Sequence, residues 1–461
     1  MNKEVLNNLI FNKKVLILGF GKEGRSTYQF LRLFFPHQLF YIADQDLQLS
    51  EKYKFNEDEE VELKLGDSYL NSLSDYDLII KTPGISLKHL NSIEVGNLQI
   101  SSQTDLFLQL FSRQIIGITG TKGKSTTTNL IFHILKSFTE NAIMVGNMGF
   151  PPFDQHANIN DETFIVFEMS SHQLENCKIA PHYAILLNLF QEHLDHYQTY
   201  MDYQMAKFNI AKYQQSDDFF ICNADNVEIN TILKGIRLQG KLMQFSLARK
   251  VNFGCFVKRK SIYFIENKSI KVFFDFKQKR ILKGEHNLLN IMAAINVCKL
   301  IGVPDNLITE GISSFKGLEH RMEFVGKFNG IDFYNDSIST IPEATIAAVN
   351  ALNIVDTLIL GGFDRGIEYF KLAEYLVKSD VKNLIFIGVA GKRIFDEVKK
   401  LDCFKIQCFE ANSFEEAVRL SIRNTKKRKI CLLSPAAASY DTFKNFEERG
   451  KRFKELVSNE L

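Results

Sequence analysis

The sequence predicts a mixed α/β fold divided into three domains, and three observations carry that prediction. Short apolar runs ended by Gly, Asp, Asn, Ser or Thr alternate with helical stretches along almost the whole chain, the pattern of parallel strands covered on both faces. Two glycine clusters, near residues 19 and 117, each open a strand-turn-helix unit. At 461 residues the chain is also too long for a single hydrophobic core.

Taken in order, the strand-like runs are KVLILGF, QLFYIAD and YDLIIKT, then QIIGIT, TFIVFEMS, YAILLNL and DFFICNA, and finally DTLILGG, NLIFIGV and KICLLSP. The first set lies in a domain expected over residues 1–94, the second over 95–315 and the third over 316–461, with boundaries good to several residues. After KVLILGF comes LGFGKEGRS, which places Gly19, Gly21 and Gly24 in a G-x-G-x-x-G pattern, with Asp44 at the end of the next strand. In a Rossmann-like domain this arrangement sets a pyrophosphate on a helix N-terminus and an acid on a ribose hydroxyl. Tight helix-strand packing without ligand, NAD, and a nucleotide-linked substrate all remain open at this point. Residues 240–283 have strand composition with little helical periodicity, so antiparallel hairpins are expected there, inserted in the central domain.

Bulk composition excludes several function classes. Lys plus Arg (56) nearly balances Asp plus Glu (54) and 45% of residues are apolar, so nothing at whole-chain level favours nucleic acid or a membrane surface. Seven cysteines are scattered without a C-x-x-C pair, which reads as reduced and intracellular. The apolar run near the N-terminus is too short to span a membrane and flows into the glycine turn without a cleavage-site pattern. A soluble, cytoplasmic monomer acting on small molecules is the expectation. The acidic NEDEE at 56–60 and the basic KKRK at 426–429 read as solvated faces.

The second glycine cluster, TGTKGKST at 119–126, is not the G-x-x-x-x-G-K-[ST] form, because Ile118 stands where the first glycine would. It keeps the parts that matter physically. Gly120 and Gly123, with Thr121 and Lys122 between them, allow close backbone approach to phosphates; Lys124 suits the β- and γ-phosphates; Ser125 or Thr126 suits a magnesium ion. This is an ATP site, and it makes the central domain P-loop ATPase-like. Glu168, at the end of the following strand TFIVFEMSS, stands where such folds carry a metal-coordinating acid. Further on, HLDHY brings His193, Asp195 and His196 together ahead of a helix carrying Lys207. His-x-Asp-His suits a transition metal, but oxygen-rich chemistry beside ATP favours magnesium with one imidazole ligand.

These stretches, with GNMGFP (146–151), EMSSHQLE (168–175), GEHNLLNIMAA (284–294), HRMEF (320–324), YNDS (334–337) and LSPAAASYDTFKNFEERGKRF (433–453), resemble the Mur ligases, ATP-dependent amide-forming enzymes of peptidoglycan synthesis. The match spans essentially the whole chain in the order of the family's three domains, so the third is expected to be Rossmann-like as well. The N-terminal domain and the closing segment are similar to the glutamate-adding branch, whereas the D-N-P-R-type acceptor motif of the diaminopimelate- or lysine-adding branch is missing from the sequence. The resemblance implies that ATP phosphorylates the carboxylate of UDP-N-acetylmuramoyl-L-alanine and that the amine of glutamate captures the acyl phosphate.

It also implies roles. Lys124 would neutralise the transferred phosphoryl group, Ser125 and Glu168 would hold one magnesium, and His193 a second. Lys207 matches a carbamylated lysine of the family. Asn147 would touch the muramoyl group, and Asn287 and Asn290 the nucleotide of ATP, with Arg321 and Asp336 closing over it. Lys22, Glu23, Asp44 and Gly84 match UDP-contacting positions, and Thr340, Arg365, Ser439, Tyr440 and Phe446 fall where the family holds glutamate. Ile338 replaces a lysine of the glutamate-adding pattern, Arg365 replaces another, and Tyr440 replaces a leucine. All three differences lie at the amino-acid end, so glutamate is expected while D and L forms both stay open. An NAD-dependent oxidoreductase rests on Gly19, Gly21, Gly24 and Asp44 alone; a catalytically silent nucleotide-binding regulator is the third reading.

Overall fold

The computed structural model describes residues 3–53, 55, 60–87, 98–146, 150–192, 196–277, 282, 284–352, 354–401 and 405–459. It separates into two compact units, Met1–Phe315 and Lys316–Leu461.

The first unit holds two sheets. One contains β1 (Val15–Leu18), β2 (Phe40–Asp44), β3 (Val61–Leu65), β4 (Leu78–Lys81) and β5 (Ile100–Ser101). Its order is β3-β2-β1-β4-β5, with every pair parallel. The strand order reverses between β1 and β4, and ligands of open α/β sheets bind at such a switch point. Strand β5 lies beyond residue 94, where the first domain is expected to end.

The other sheet has nine strands: β6 (Ile115–Thr119), β7 (Ala142–Gly146), β8 (Phe164–Glu168), β9 (Tyr183–Leu186), β10 (Phe219–Asn223), β11 (Lys241–Ser246), β12 (Gly254–Lys258), β13 (Ser261–Glu266) and β14 (Ser269–Asp275). Their order is β14-β13-β12-β11-β10-β9-β6-β8-β7. The expected antiparallel hairpins are the run β12-β13-β14, while β11 joins β10 in parallel. They therefore extend one edge of the central sheet. Both hairpins turn on two residues with positive φ, Arg259-Lys260 (48° and 62°) and Asn267-Lys268 (49° and 66°), the turn geometry that matches the twist of paired strands.

The central sheet is buried on both faces because β6 is apolar on both. Ile116 and Ile118 join Leu130, Ile131, Ile291 and Ile295 in one core, from the helices Lys124–Phe138 and Glu285–Ile301. Ile115 joins Phe107 and Phe208 in the other. That second core also takes in Val15, Phe30 and Phe40 of the first sheet's layer, so the two sheets share one apolar body. Phe30 stacks on Phe153 with ring centroids 3.9 Å apart and planes 3° from parallel, and Phe107 meets Phe153 edge-on at 5.6 Å.

The second unit holds β15 (Glu323–Phe328), β16 (Ile331–Asn335), β17 (Val355–Gly361), β18 (Asn383–Ile387), β19 (Gln407–Ala411) and β20 (Ile430–Leu433), ordered β15-β16-β20-β17-β18-β19. Only the β15-β16 hairpin is antiparallel, and it turns on Asn329-Gly330, both at positive φ. No helix among the described residues is long and apolar enough to cross a membrane.

Because Phe153 sits between the two layers of the first unit, Phe153→Ala is expected to cost about 3–5 kcal/mol. The reading is a fall in the first urea midpoint followed by far-ultraviolet circular dichroism; an unchanged midpoint would show that the stack does not join the sheets.

Candidate active site

Strand β6 ends at Thr119, and the loop Gly120–Gly123 leads straight into the helix Lys124–Phe138. Gly123 is the N-cap, with φ of +89° and no side-chain cap hydrogen bond. A Cβ there would lie 2.5 Å from Asn290 Oδ1, so the position demands glycine on both conformational and steric grounds. The first N–H groups of this helix are left for an anion. Asn290, whose amide donates to Asn287 Oδ1 at 3.1 Å, brings the two predicted asparagines together against the loop.

The loop is braced from the segment that follows β9 and from the helix Tyr200–Lys212. Asn188 holds Lys122 at both ends, accepting from its N–H at 2.8 Å and donating to its carbonyl at 2.9 Å. The Thr121 hydroxyl lies 2.9 Å from the Tyr203 hydroxyl, and Lys122 pairs with Glu192. Lys124 Nζ donates to the carbonyls of Gly120 (3.0 Å) and Thr121 (3.2 Å).

Ser125 and Glu168 meet as expected. The buried Ser125 hydroxyl, in the first turn of the helix that follows β6, donates at 3.2 Å to Oε1 of Glu168, the last residue of the neighbouring parallel strand β8. A hydroxyl and a carboxylate side by side are hard oxygen donors and fit magnesium. Lys207 is 2% exposed; its Nζ donates to the Gly120 carbonyl at 3.1 Å and sits 5.0 Å from the centre of the Tyr203 ring. Burial, and then the neighbouring Lys124, hold its pKa well below that of an ordinary lysine. His193, Asp195 and Asn147 lie outside the described residues. His196 turns away from the loop to Glu175, 3.4 Å from Oε2, with its ring edge-on to His172 at 4.1 Å.

At the first sheet's switch point the four predicted positions divide. Lys22 and Gly84 are exposed. Asp44 is engaged with the backbone, accepting from Phe20 N–H at 2.6 Å and Asp46 N–H at 2.9 Å, so it shapes the glycine turn. The Glu23 carboxyl meets Gln173 at 2.7 Å, on the side of the central sheet.

In the second unit, Asp336 is buried and accepts from Ser339 Oγ (2.5 Å), Ser434 Oγ (2.7 Å) and Met322 N–H (3.1 Å). Burial raises its carboxyl pKa to about 6 against those bonds. Arg321, the other residue expected to close over ATP, lies between two residues at positive φ, His320 (62°) and Met322 (43°). Arg365 donates to the Thr340 carbonyl at 3.2 Å, and Tyr440 stands edge-on to Phe363 at 6.1 Å. Sequence reasoning missed the residue that ties these loops together. Arg449, 3% exposed, donates to the Ser337 hydroxyl and carbonyl (3.0 and 2.8 Å) and to the Ala437 and Ala438 carbonyls (both 3.1 Å). Phe446, one turn earlier on the same helix, accepts the Ser337 hydroxyl at its carbonyl, 2.8 Å away.

One other group of side chains among the described residues has metal-ligand spacing: His182, Asp217 and Asp218. Arg113 already pairs with both carboxylates, at 2.8 and 2.9 Å, so the cluster is an ion-pair network.

Three family models match in succession: the "Mur ligase MurD-like, N-terminal domain" over residues 13–100, the "Mur ligase middle domain" over 118–298 and the "Mur ligase, glutamate ligase domain" over 320–437. The chain belongs to the Mur ligase family. It is 34% identical over 453 residues, 97% of each chain, to a UDP-N-acetylmuramoylalanine--D-glutamate ligase of Clostridium kluyveri. It is also 34% identical over 448 residues to the enzyme of that name from Caldanaerobacter subterraneus, covering 96% of this chain and 98% of the other. Among solved structures the fold is shared with the alanine ligase MurC of Thermotoga maritima (TM-score 0.55, 18% identity, 98% of this chain and 100% of that one). It is shared equally with the MurF ligase of the same organism in complex with ADP (TM-score 0.56, 16% identity, 97% and 95% covered).

Of the three positions at which the sequence departs from the glutamate-adding pattern, two have named partners: Arg365 lies against Thr340 and Tyr440 against Phe363. The third, Ile338, is held by its N–H to the His320 carbonyl at 3.1 Å.

Asp336 gives a pH signature. Its folded pKa is raised, so the stability it contributes is fully present below the ordinary aspartate value and is lost as pH rises toward about 6. Asp336→Asn should therefore gain on the parent by about 2–3 kcal/mol between pH 4 and pH 7. The difference in urea midpoints at the two pH values measures it, and no change in that difference would contradict the buried-carboxyl reading.

Proposed function

We propose that this Mur ligase joins D-glutamate to UDP-N-acetylmuramoyl-L-alanine, using ATP and releasing ADP and phosphate, in the cytoplasmic assembly of peptidoglycan precursors. The observation that carries this is full-length identity of 34% to ligases named for D-glutamate, over a chain whose phosphate loop keeps Lys124, Ser125 and Glu168 together.

The N–H groups at the start of helix Lys124–Phe138 and the Lys124 ammonium receive the phosphates of ATP. Asn287 and Asn290 lie where the nucleotide enters. Ser125 and Glu168 would hold magnesium, and the resemblance adds His193 for a second ion. Bound there, magnesium neutralises charge on the phosphoryl oxygens. The muramoyl carboxylate oxygen attacks the γ-phosphorus and ADP departs; the amine of glutamate then attacks the acyl carbon, losing a proton as phosphate leaves. The chain contributes alignment and charge stabilisation to both steps.

Lys207 suits carbamylation because burial beside Lys124 favours the neutral amine, the form that adds carbon dioxide while releasing a proton. The carbamate would bring a negative charge to a site that already holds Lys124. At the acceptor, the planar guanidinium of Arg365 suits a carboxylate bidentately where a lysine offers a point charge. Lys22, Gly84 and the N-terminus of helix Lys22–Phe34 serve the UDP group.

The test is phosphate release with ATP, magnesium, UDP-N-acetylmuramoyl-L-alanine and either D- or L-glutamate. Release is expected only with all components and with the D form; L-dependent release would move the assignment to the other enantiomer, and release without amino acid would refute ligation. In the same assay Glu168→Ala and Lys124→Ala should lose at least about a hundredfold in kcat, the scale of a lost transition-state charge contact. For Lys207, carbon-13 bicarbonate labelling should give a carbamate resonance that Lys207→Ala lacks.

A further inference from the structure

The loop after β8 carries Glu168 and runs through Met169 and Ser170 into one helical turn, Ser171–Leu174. This turn is gripped from several sides. The Thr119 hydroxyl donates to the Met169 carbonyl at 2.8 Å. Asn209, on the helix that bears Lys207, donates to the carbonyls of Leu174 (3.1 Å) and Glu175 (3.2 Å). Two further contacts come from the first sheet. Lys81, at the end of β4 and 3% exposed, donates to the Ile85 carbonyl at 2.8 Å and reaches Glu175 Oε2 at 3.4 Å. Glu23, at the start of the helix that follows the first glycine cluster, accepts at Oε1 from Gln173 Nε2.

The Gln173 side chain is committed at both ends. Its Oε1 accepts from the Ser170 N–H at 2.9 Å while its own N–H donates to Ser170 Oγ at 3.2 Å, a closed capping box. The amide nitrogen of that side chain is then fixed in direction, and Glu23 is its acceptor. Glu23 Oε2 is shut off from solvent without a hydrogen-bond partner among the described residues. Burial lifts the carboxyl pKa to about 7, opposed by the Gln173 bond and by Lys81. Neutral or ionised, Oε1 can accept from Gln173.

The family resemblance would put Glu23 on the sugar nucleotide, but its carboxyl meets Gln173 on the side of the central sheet. We propose that Glu23 is a positioning residue of the ligation site: through Gln173 it fixes the Ser170 backbone and, two residues earlier, Glu168, so that the sugar-nucleotide helix braces the magnesium-binding strand end. The proposal rests on the ligase reading above and assigns Glu23 to the metal side of the reaction.

Steady-state kinetics separate the two roles. Glu23→Ala should lower kcat about tenfold and raise the magnesium concentration for half-maximal rate, as the loss of a group that orients a metal ligand does. The KM for the sugar nucleotide should stay within about twofold. Glu23→Gln, whose amide oxygen can still accept from Gln173, should recover most of the rate, and Gln173→Ala should reproduce the loss from the other side. A KM for the sugar nucleotide raised about tenfold at unchanged kcat would make Glu23 a direct substrate contact and overturn the proposal; equal impairment of Glu23→Ala and Glu23→Gln would overturn it as well. Affinity for manganese with a non-hydrolysable ATP analogue, read by electron paramagnetic resonance, needs no turnover. A severalfold weakening in Glu23→Ala, absent in Glu23→Gln, supports the proposal even if the parent shows no ligation, and unchanged affinity overturns it.

Discussion

Two lysine ammonium groups converge on one backbone oxygen. Lys124 and Lys207 both donate to the Gly120 carbonyl, at 3.0 and 3.1 Å, and the second is almost wholly out of water. Such crowding of cations is unfavourable unless one gives up its proton or anions arrive. The site answers on both counts: the Lys207 pKa is depressed, and a helix N-terminus without a side-chain cap faces the same loop. The rest of the central domain serves to hold this loop still. Asn188 grips Lys122 from just beyond β9, Tyr203 grips Thr121 from the helix of Lys207, and Asn290 leaves room for nothing larger than Gly123.

The same economy of buried polar groups runs through the second unit. Arg449 makes four hydrogen bonds, all to uncharged acceptors on the two segments that hold Ser337 and Ala437–Ala438. Burial pulls its pKa down to about 10, which still leaves it charged at neutrality. A charge that must stay paired with particular carbonyls specifies loop geometry more strictly than apolar packing would. Thr340, Ser439 and Tyr440 therefore project from segments whose backbone is already fixed.

Much of the fold was legible because its signals are local. Apolar runs of strand length alternating with helices imply covered parallel strands, and the positions of Gly120, Gly123 and Lys124 report a phosphate loop from residue types alone. The hairpins at 240–283 were readable as antiparallel from composition, but not their place at the edge of the central sheet, since that depends on β11 pairing with β10. Asn188 carried a faint signal as a polar residue just beyond an apolar strand. Gln173 and Arg449 lie in stretches that carry the family resemblance, but their roles were not legible, because the partners that give them meaning, Glu23 and the Ser337 and Ala437 backbones, are remote in the chain.

By itself the sequence determined the class of fold, the glycine-rich loop between β6 and its helix and the glycine turn that opens the first helix after β1, all of which follow from short-range spacing and side-chain chemistry. Tertiary structure alone decided which way each charged group points. Asp44 turns to its own backbone, Glu23 to Gln173, Asp336 into a nest of hydroxyls and His196 to Glu175. Burial and hydrogen bonding to partners far along the chain set those directions, and no pattern within a single segment encodes them.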